Sequence, residues 1–336
     1  MTEVPRRQPT LDEVAERAGV SRSAASRVLN NAPHVSRAKR DAVRRAIREL
    51  GYVPNPTARA LATRQRGVVA LVISGESPSI FADPFFARVI VGASAALEEA
   101  DLYPMLCLAA TDRGRQRLEE LLRARGADGV IVMAVRENDP VLHIVRETVL
   151  PVVFGGRPVG YEPPWYVDAD NAGGARQATE HLLARGRRRV AVICGPLDTH
   201  VSRERHRGYR EAMMLAGLEP CDPVIGDFTE PGGAVAMAEL LKRYPEADGV
   251  FAANDNMAAG ALRTLRGAGR ATPRDVAVVG FDDLDIARIT EPPLTTVHQP
   301  VQALGRESAR MLVGLIRGEQ PTSLVLPTRL VTRSST

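Results

Sequence analysis

Cysteine is scarce in this chain: three in 336 residues, at 107, 194 and 221, with no C-x-x-C pair. Such spacing excludes a disulfide framework, and Cys107 and Cys194, set in apolar runs, read as buried thiols of a reducing compartment. Histidine is thin as well. The six are scattered, with His200 and His206 the nearest pair, and give no zinc spacing. No stretch approaches the ~18 uninterrupted apolar residues of a membrane helix. Arg6 and Arg7 are followed by no apolar run of the kind a signal peptide carries, so a cytoplasmic chain is expected. Also missing are the G-x-G-x-x-G and G-x-x-x-x-G-K-[ST] phosphate loops and the G-x-S-x-G elbow, and the G-G-R-P-V-G run at 155–160 is broken by proline. No enzymatic activity, cofactor or metal is therefore expected.

What is present begins with T-L-D-E-V-A-E-R-A-G-V-S-R-S-A-A-S-R-V-L-N at 10–30. Thr10 and Glu13 have capping-box spacing, and Leu11, Val14, Ala15 and Ala18 fall on one helical face. Gly19 suits the left-handed residue of a tight turn. Ser21 can cap a second helix that presents Arg22, Ser23, Ser26 and Arg27 outward. Two short helices joined by a glycine turn, the second bearing Arg and Ser, describe a helix-turn-helix that reads DNA; the plain alternative is an αα-corner with a solvated basic face. Charge favours DNA. Residues 1–66 hold 14 Lys+Arg against 6 Asp+Glu, whereas the other 270 residues hold 30 against 34. A basic head on a mildly acidic body supplies the sequence-independent part of DNA affinity. Ser36 can cap a third helix over about 37–50, with Gly51 to end it and Pro54 and Pro56 beyond. Residues 55–62 can form a two-turn helix, too short to stand alone in water.

The length suggests roughly two to three domains, and from about residue 67 strand and helix patterns alternate. Apolar runs at Val68–Ile73, Pro104–Ala109, Gly129–Val135, Pro151–Phe154, Val190–Cys194, Gly249–Ala253 and Val276–Phe281 are separated by amphipathic stretches. This is a βαβ series, hence parallel sheets covered by helices, with ligands bound beyond the carboxyl ends of the strands. At those exits stand Asp83-Pro84-Phe85-Phe86, Gly156-Arg157, Asn254-Asp255, Asp282-Asp283 and Gln299. Aromatics make up only 4% of the chain, so paired Phe residues outside a strand suit the ring face of a small polyhydroxylated or flat polar ligand. Asp282-Asp283 reads as one ligand group and one cap. The alternative is that Asp255 and Asp282 are helix caps and the Phe residues core.

Head, linker and body together resemble the lactose-repressor/galactose-repressor family of bacterial transcription factors. The matching residues are 10–30, H-V-S at 34–36, L-G-Y-V-P-N with A-R-A-L-A at 50–62, D-P-F-F at 83–86, Asp170-Asn171, G-P-L at 195–197, G-D-F at 226–228, A-N-D at 253–255, V-G-F-D-D at 279–283 and P-L-T-T-V-H-Q-P at 293–300. The resemblance implies an all-α helix-turn-helix head at 1–54, a hinge helix and linker at 55–66, and an α/β body at 67–336. That body would be a two-lobed, type I periplasmic-binding-protein-like fold with parallel sheets and three crossovers. Lobe 1 would hold about 67–167 and 296–321, lobe 2 about 168–295 and 322–336.

The family implies a sequence-specific regulator, a repressor by habit, which binds near-palindromic operator DNA as a homodimer under control of a small-molecule effector. With no leucine-heptad tail, a dimer is expected rather than a tetramer. On this resemblance Arg22 and Ser23 read bases, Arg27 adds a base contact, and Ser21, Asn30, His34 and Ser36 hold phosphate. Leu61 matches a minor-groove wedge, with Ala58 small beside it. In the cleft, Phe85, Phe86 and Phe228 would cover ring faces, and Asp83, Arg157, Arg203, Asn254, Asp282 and Gln299 would hydrogen-bond the ligand. A sugar or sugar derivative is the expected effector. The alternatives are a purine or nucleoside corepressor, or a solute-binding protein with no regulatory role. Two departures from the family stand out: Ala25 replaces a commonly β-branched residue, loosening the head by about 1 kcal/mol, and Gly156 stands where pentose-binding relatives often place an acid. Leu61→Ala is expected to weaken operator binding in a gel shift while sparing effector affinity and dimerisation, since a wedge acts only on DNA.

Overall fold

Thr10 and Glu13 close the capping box their spacing calls for. The Glu13 N–H donates to Thr10 Oγ1 at 3.3 Å and the Thr10 N–H to Glu13 Oε2 at 2.7 Å. That cap starts α1 (Leu11–Arg17), and Gly19, at φ 63°, turns the chain into α2 (Arg22–Leu29). The Ala24 N–H donates to Ser21 Oγ at 3.3 Å, so Ser21 caps α2 as expected. Helix α3 (Arg37–Leu50) ends on left-handed Gly51. Ser36 occupies its N-cap position, but its exposed side chain makes no cap bond; Arg40 Nε instead donates to Val35 O at 3.0 Å and closes the start of the helix. Val14, Ala15, Ala25, Val28, Val43 and Ala46 form the buried centre of this head.

The computed structural model describes residues 9–29, 35–52, 66–74 and 83–336, and the chain divides into two units, 1–66 and 67–336. The expected hinge helix with Ala58 and Leu61, and also Asn30 and His34, lie outside the described residues.

The second unit contains two six-stranded sheets. The first comprises β1 (Val68–Ile73), β2 (Tyr103–Leu108), β3 (Gly129–Met133), β4 (Val152–Gly155), β5 (Tyr166–Ala169) and β11 (Leu324–Leu326), in the order β11-β5-β4-β3-β1-β2 and parallel throughout. The second comprises β6 (Val190–Cys194), β7 (Val224–Ile225), β8 (Gly249–Ala252), β9 (Ala277–Asp282), β10 (Thr295–His298) and β12 (Arg329–Val331), in the order β12-β10-β9-β8-β6-β7, with only β12 antiparallel to its neighbour. Near-continuous apolar strands such as VVALVI and VAVIC fit this two-faced burial.

The connecting helices are α4 (Pro84–Glu98), α5 (Asp112–Arg123), α6 (Pro140–Glu147), α7 (Asn171–Ala184), α8 (His200–Leu215), α9 (Glu230–Arg243), α10 (Asp255–Gly267), the short α11 (Ile286–Ile289) and α12 (Val301–Ile316). Strand pairing corrects the expected lobe limits. β5 runs to Ala169 in the first sheet, so the first crossing falls at residue 170 rather than 168. Thr295 and Thr296 are fully buried beside β9, which keeps β10 in lobe 2 and moves the second crossing to 299–300. Leu324 pairs with Val167 in lobe 1, so the third crossing falls at 327–328.

In the first lobe α4 packs closely on α12. Gly92 lies against the Gln302 carbonyl and Gly305 against the Val89 carbonyl, with no room for a Cβ at either. Gly305→Ala is expected to cost about 1–3 kcal/mol through overpacking, read as a lower urea midpoint; an unchanged midpoint would mean that the two helices can part without penalty.

Candidate functional site

The carboxyl ends of both sheets face one cavity of about 530 Å³, within the usual range for small-molecule sites. Phe85 and Phe86 enter from α4, their rings 5.4 Å apart and edge to face. Phe228 approaches from the other lobe, its ring resting on the backbone of Gly195, where a Cβ would collide with it. Around these apolar faces runs a continuous polar chain. Arg157 Nε meets Asp168 Oδ2 at 3.1 Å, Asn171 Nδ2 donates to Asp168 Oδ1 at 3.1 Å, and Arg205 Nε donates to Asn171 Oδ1 at 2.9 Å. Arg205 Nη2 then pairs with Asp282 Oδ1 at 3.1 Å, and Gln299 Nε2 donates to that same oxygen at 2.6 Å.

Arg205 is only 3% exposed and Asp282 4%. Its guanidinium also donates to the Ala253 carbonyl and lies 3.7 Å from the centroid of the Phe281 ring. Burial lowers the pKa of Arg205 and Asp282 opposes that shift; a guanidinium still keeps its proton in a protein. Burial pushes the Asp282 carboxyl from 3.8 up to about 7; Arg205 pulls it down and nearby Asp83 adds to the rise. Asp83 is itself raised by burial, although its Oδ1 accepts the Phe85 N–H at 3.0 Å as the cap of α4. Three non-glycine residues lining the cavity have positive φ: Ala134 (58°), Phe228 (68°) and Asp282 (103°). Backbone strain of this kind tends to collect at functional sites.

On the head, Ser21, Arg22, Ser23, Arg27 and Ser36 are exposed, while Ala25 and Val28 face the core. Arg22 meets Asp12 at 3.3 Å, with both side chains largely in solvent. An ion pair this exposed is worth little and leaves the guanidinium able to change partners.

The N-terminal residues 10–55 match the model of the lacI family of bacterial regulatory proteins, and residues 179–336 match a periplasmic binding protein-like domain. The chain is 47% identical over 336 residues to the HTH-type transcriptional regulator CelR of Thermobifida fusca, across 98% of this chain and 99% of that one. The chain belongs to the LacI family of bacterial transcriptional regulators. It is also 35% identical to the ribose operon repressor of Escherichia coli (strain K12) over 319 residues, 93% of this chain and 94% of the relative. Among solved structures it resembles a CelR–cellobiose complex, at 45% identity and a TM-score of 0.78 over 98% of this chain and 100% of the other. It likewise resembles the lac repressor dimer bound to operator and the anti-inducer ONPF, at 27% identity and a TM-score of 0.85 over 98% and 99%.

Within this LacI-family body, eight of the nine expected effector residues line the cavity: Asp83, Phe85, Phe86, Arg157, Phe228, Asn254, Asp282 and Gln299. Arg203 does not. It is exposed on α8 and pairs with Glu137 of the other lobe at 2.5 Å, and the arginine inside is Arg205. Ser202, Arg205, Tyr209 and Ala212 form the buried face of α8, so helical spacing excludes 203 and selects 205. Asp283, expected as a cap, instead binds Arg333 and His298. Asn254 caps α10 through Oδ1 and donates Nδ2–H to the Phe228 carbonyl at 2.9 Å, leaving little of its amide for a ligand.

Asp168, Asn171 and His200 were not expected in the cavity but line it. Burial and Arg157 lower the pKa of His200, and its Nε2 is buried without a hydrogen-bond partner among the described residues. At 156 the φ of +84° calls for glycine, which accounts for the missing acid there. Among the described residues, no group of three or more His, Cys, Asp or Glu could hold a metal ion, and no helix is long and apolar enough to cross a membrane.

The raised carboxyls set a pH dependence. Folding takes up a proton at Asp282 between its ordinary 3.8 and about 7, so its contribution to stability is complete below 3.8 and is lost as pH rises through about 7. Asp83 and Asp255 shift in the same direction. In thermal melts of the effector-free protein, Tm relative to that of Asp282→Asn is therefore expected to decline as pH rises from about 4 to about 7 and to level off above; a Tm difference between the two that does not change with pH would place the titration elsewhere.

Proposed function

We propose that this chain is a cytoplasmic, homodimeric repressor that binds near-palindromic operator DNA and is released from it by a disaccharide of the cellobiose type. The observation that carries the effector reading is the cavity itself. Phe85, Phe86 and Phe228 offer apolar faces for sugar rings, and the Asp282–Arg205–Gln299 cluster offers acceptors and donors for their hydroxyls. The relative bound to cellobiose, at 45% identity, supports the choice of sugar. Asp83, Arg157, Arg205, His200 and Asp282 are the proposed ligand contacts, and Ser21, Arg22, Ser23, Arg27 and Ser36 the proposed DNA contacts.

Pairing with a second copy is supported by the sheet edges. β2 ends the first sheet with Tyr103 75%, Met105 38% and Leu106 41% exposed, and Val91 on α4 is 56% exposed. β7 ends the second with Ile225 at 47%. Bare apolar edge strands need cover, and the lac repressor relative is a dimer.

The test is operator binding followed by fluorescence polarisation, with and without cellobiose. Binding should weaken steeply with salt and be reversed by cellobiose. Arg205→Met should abolish that reversal, and Arg203→Met should retain it. Operator binding that ignores saturating cellobiose, with no thermal shift on adding the sugar, would overturn the effector reading.

A further inference from the structure

Asp282 and Asp283 are consecutive non-glycine residues with positive φ, 103° and 54°. L side chains rarely adopt that backbone, and it persists only where the surroundings over-determine it. The two side chains diverge. Asp282 lines the cavity against Arg205 and Gln299, and Asp283 does not line it. Asp283 Oδ1 instead accepts from Arg333 Nη2 at 2.5 Å, and Oδ2 lies 3.1 Å from His298 Nδ1. Burial would raise this carboxyl, but Arg333 and His298 outweigh it and hold it below its ordinary value. It is therefore the firmly ionised member of the pair.

Arg333 is itself fixed. Its Nη1 donates to the Leu294 carbonyl at 2.8 Å and its N–H to Thr295 Oγ1 at 2.9 Å. The residues that follow are stitched into the second lobe: Ser335 Oγ donates to the Val278 carbonyl at 2.6 Å and accepts the Thr295 N–H at 2.8 Å. The next residue of the turn is held too, since the Leu284 N–H donates to Asp255 Oδ2 at 2.7 Å. Neither Arg333 nor His298 lines the cavity.

We propose that Arg333 is a positioning residue of the effector site: by clamping Asp283 it holds the left-handed turn that aims the Asp282 carboxylate into the cleft. This rests on the reading of Asp282 as an effector contact. If Arg333 only anchored the tail, stability would depend on it and effector affinity would not.

The experiment measures cellobiose affinity by calorimetry, together with Tm, on the full chain. The variants are Asp282→Asn, Arg333→Met, the double variant Arg333→Met/Asp283→Asn, and Ser335→Ala. Asp282→Asn should lose binding. Arg333→Met should weaken it about tenfold or more, as misplacement of a site group does, and lower Tm by leaving the half-buried Asp283 carboxylate with His298 as its one remaining side-chain partner of the two. The double variant removes that under-compensated charge, and Asn tolerates left-handed backbone, so Tm should recover while affinity stays low. Ser335→Ala loosens the same tail without touching Asp283; it should lower Tm and leave affinity unchanged.

Affinity that returns with Tm in the double variant, or falls equally in Ser335→Ala, would overturn the proposal. So would normal binding by Arg333→Met where Asp282→Asn has lost it, and in that case the effector reading survives. A wild type that binds no cellobiose, or Asp282→Asn that binds normally, would overturn the effector reading and the proposal with it.

Discussion

Arg205 and Asp282 face each other 3.1 Å apart on the floor of the cleft, both almost wholly withdrawn from water. Two charges so placed are costly unless every remaining lone pair and N–H is used. Much of that capacity is met within the protein: Arg205 donates to Asn171, Ala253 and Asp282 and lies against the Phe281 ring, and Asp282 Oδ1 also accepts from Gln299; the rest is what the cluster can offer a ligand. These partners come from β9, α7, α8, the end of β8 and the second crossing between lobes. The pair therefore ties together the second sheet, the helix that packs on it and two of the segments by which the chain passes from lobe to lobe. Rim contacts such as Arg203–Glu137 and Arg136–Asp198 at 3.1 Å also bridge the lobes, but in solvent, where such pairs contribute little.

What the sequence made legible follows from how local each signal is. The capping box, the Gly19 turn and the Gly51 stop depend on neighbours within four residues, and all three stand as read. Strands buried on both faces, such as Val68–Ile73 and Val190–Cys194, show themselves as apolar runs. The strand at Tyr166–Ala169 carries an Asp, and the one at Leu324–Leu326 has only three residues; each is defined by its partner, so the lobe limits were displaced.

The cavity residues divide on the same principle. Most of those next to strand ends were found. Arg205 lies a turn into a helix, and only the period of the buried face distinguishes it from Arg203. Asp168 and Asn171 enter through hydrogen bonds to residues distant in sequence, which no local pattern records. In the head, a core of Val and Ala leaves Arg22, Ser23 and Arg27 unburdened by packing. These proposed DNA-contacting residues can therefore vary without disturbing the three helices that carry them.

The three crossings at 170, 299–300 and 327–328 have a mechanical meaning. The first and third are laced together: the Asp170 N–H donates to the Leu326 carbonyl at 2.9 Å, and Thr328 Oγ1 to the Asp170 carbonyl at 3.1 Å. They bend as one strap, and 299–300 is the second. Two straps joining two stiff bodies permit swinging about the line between them and resist twist and slide. The lobes thus form a linkage with one soft coordinate, and Gln299, bonded to Asp282, sits on its axle.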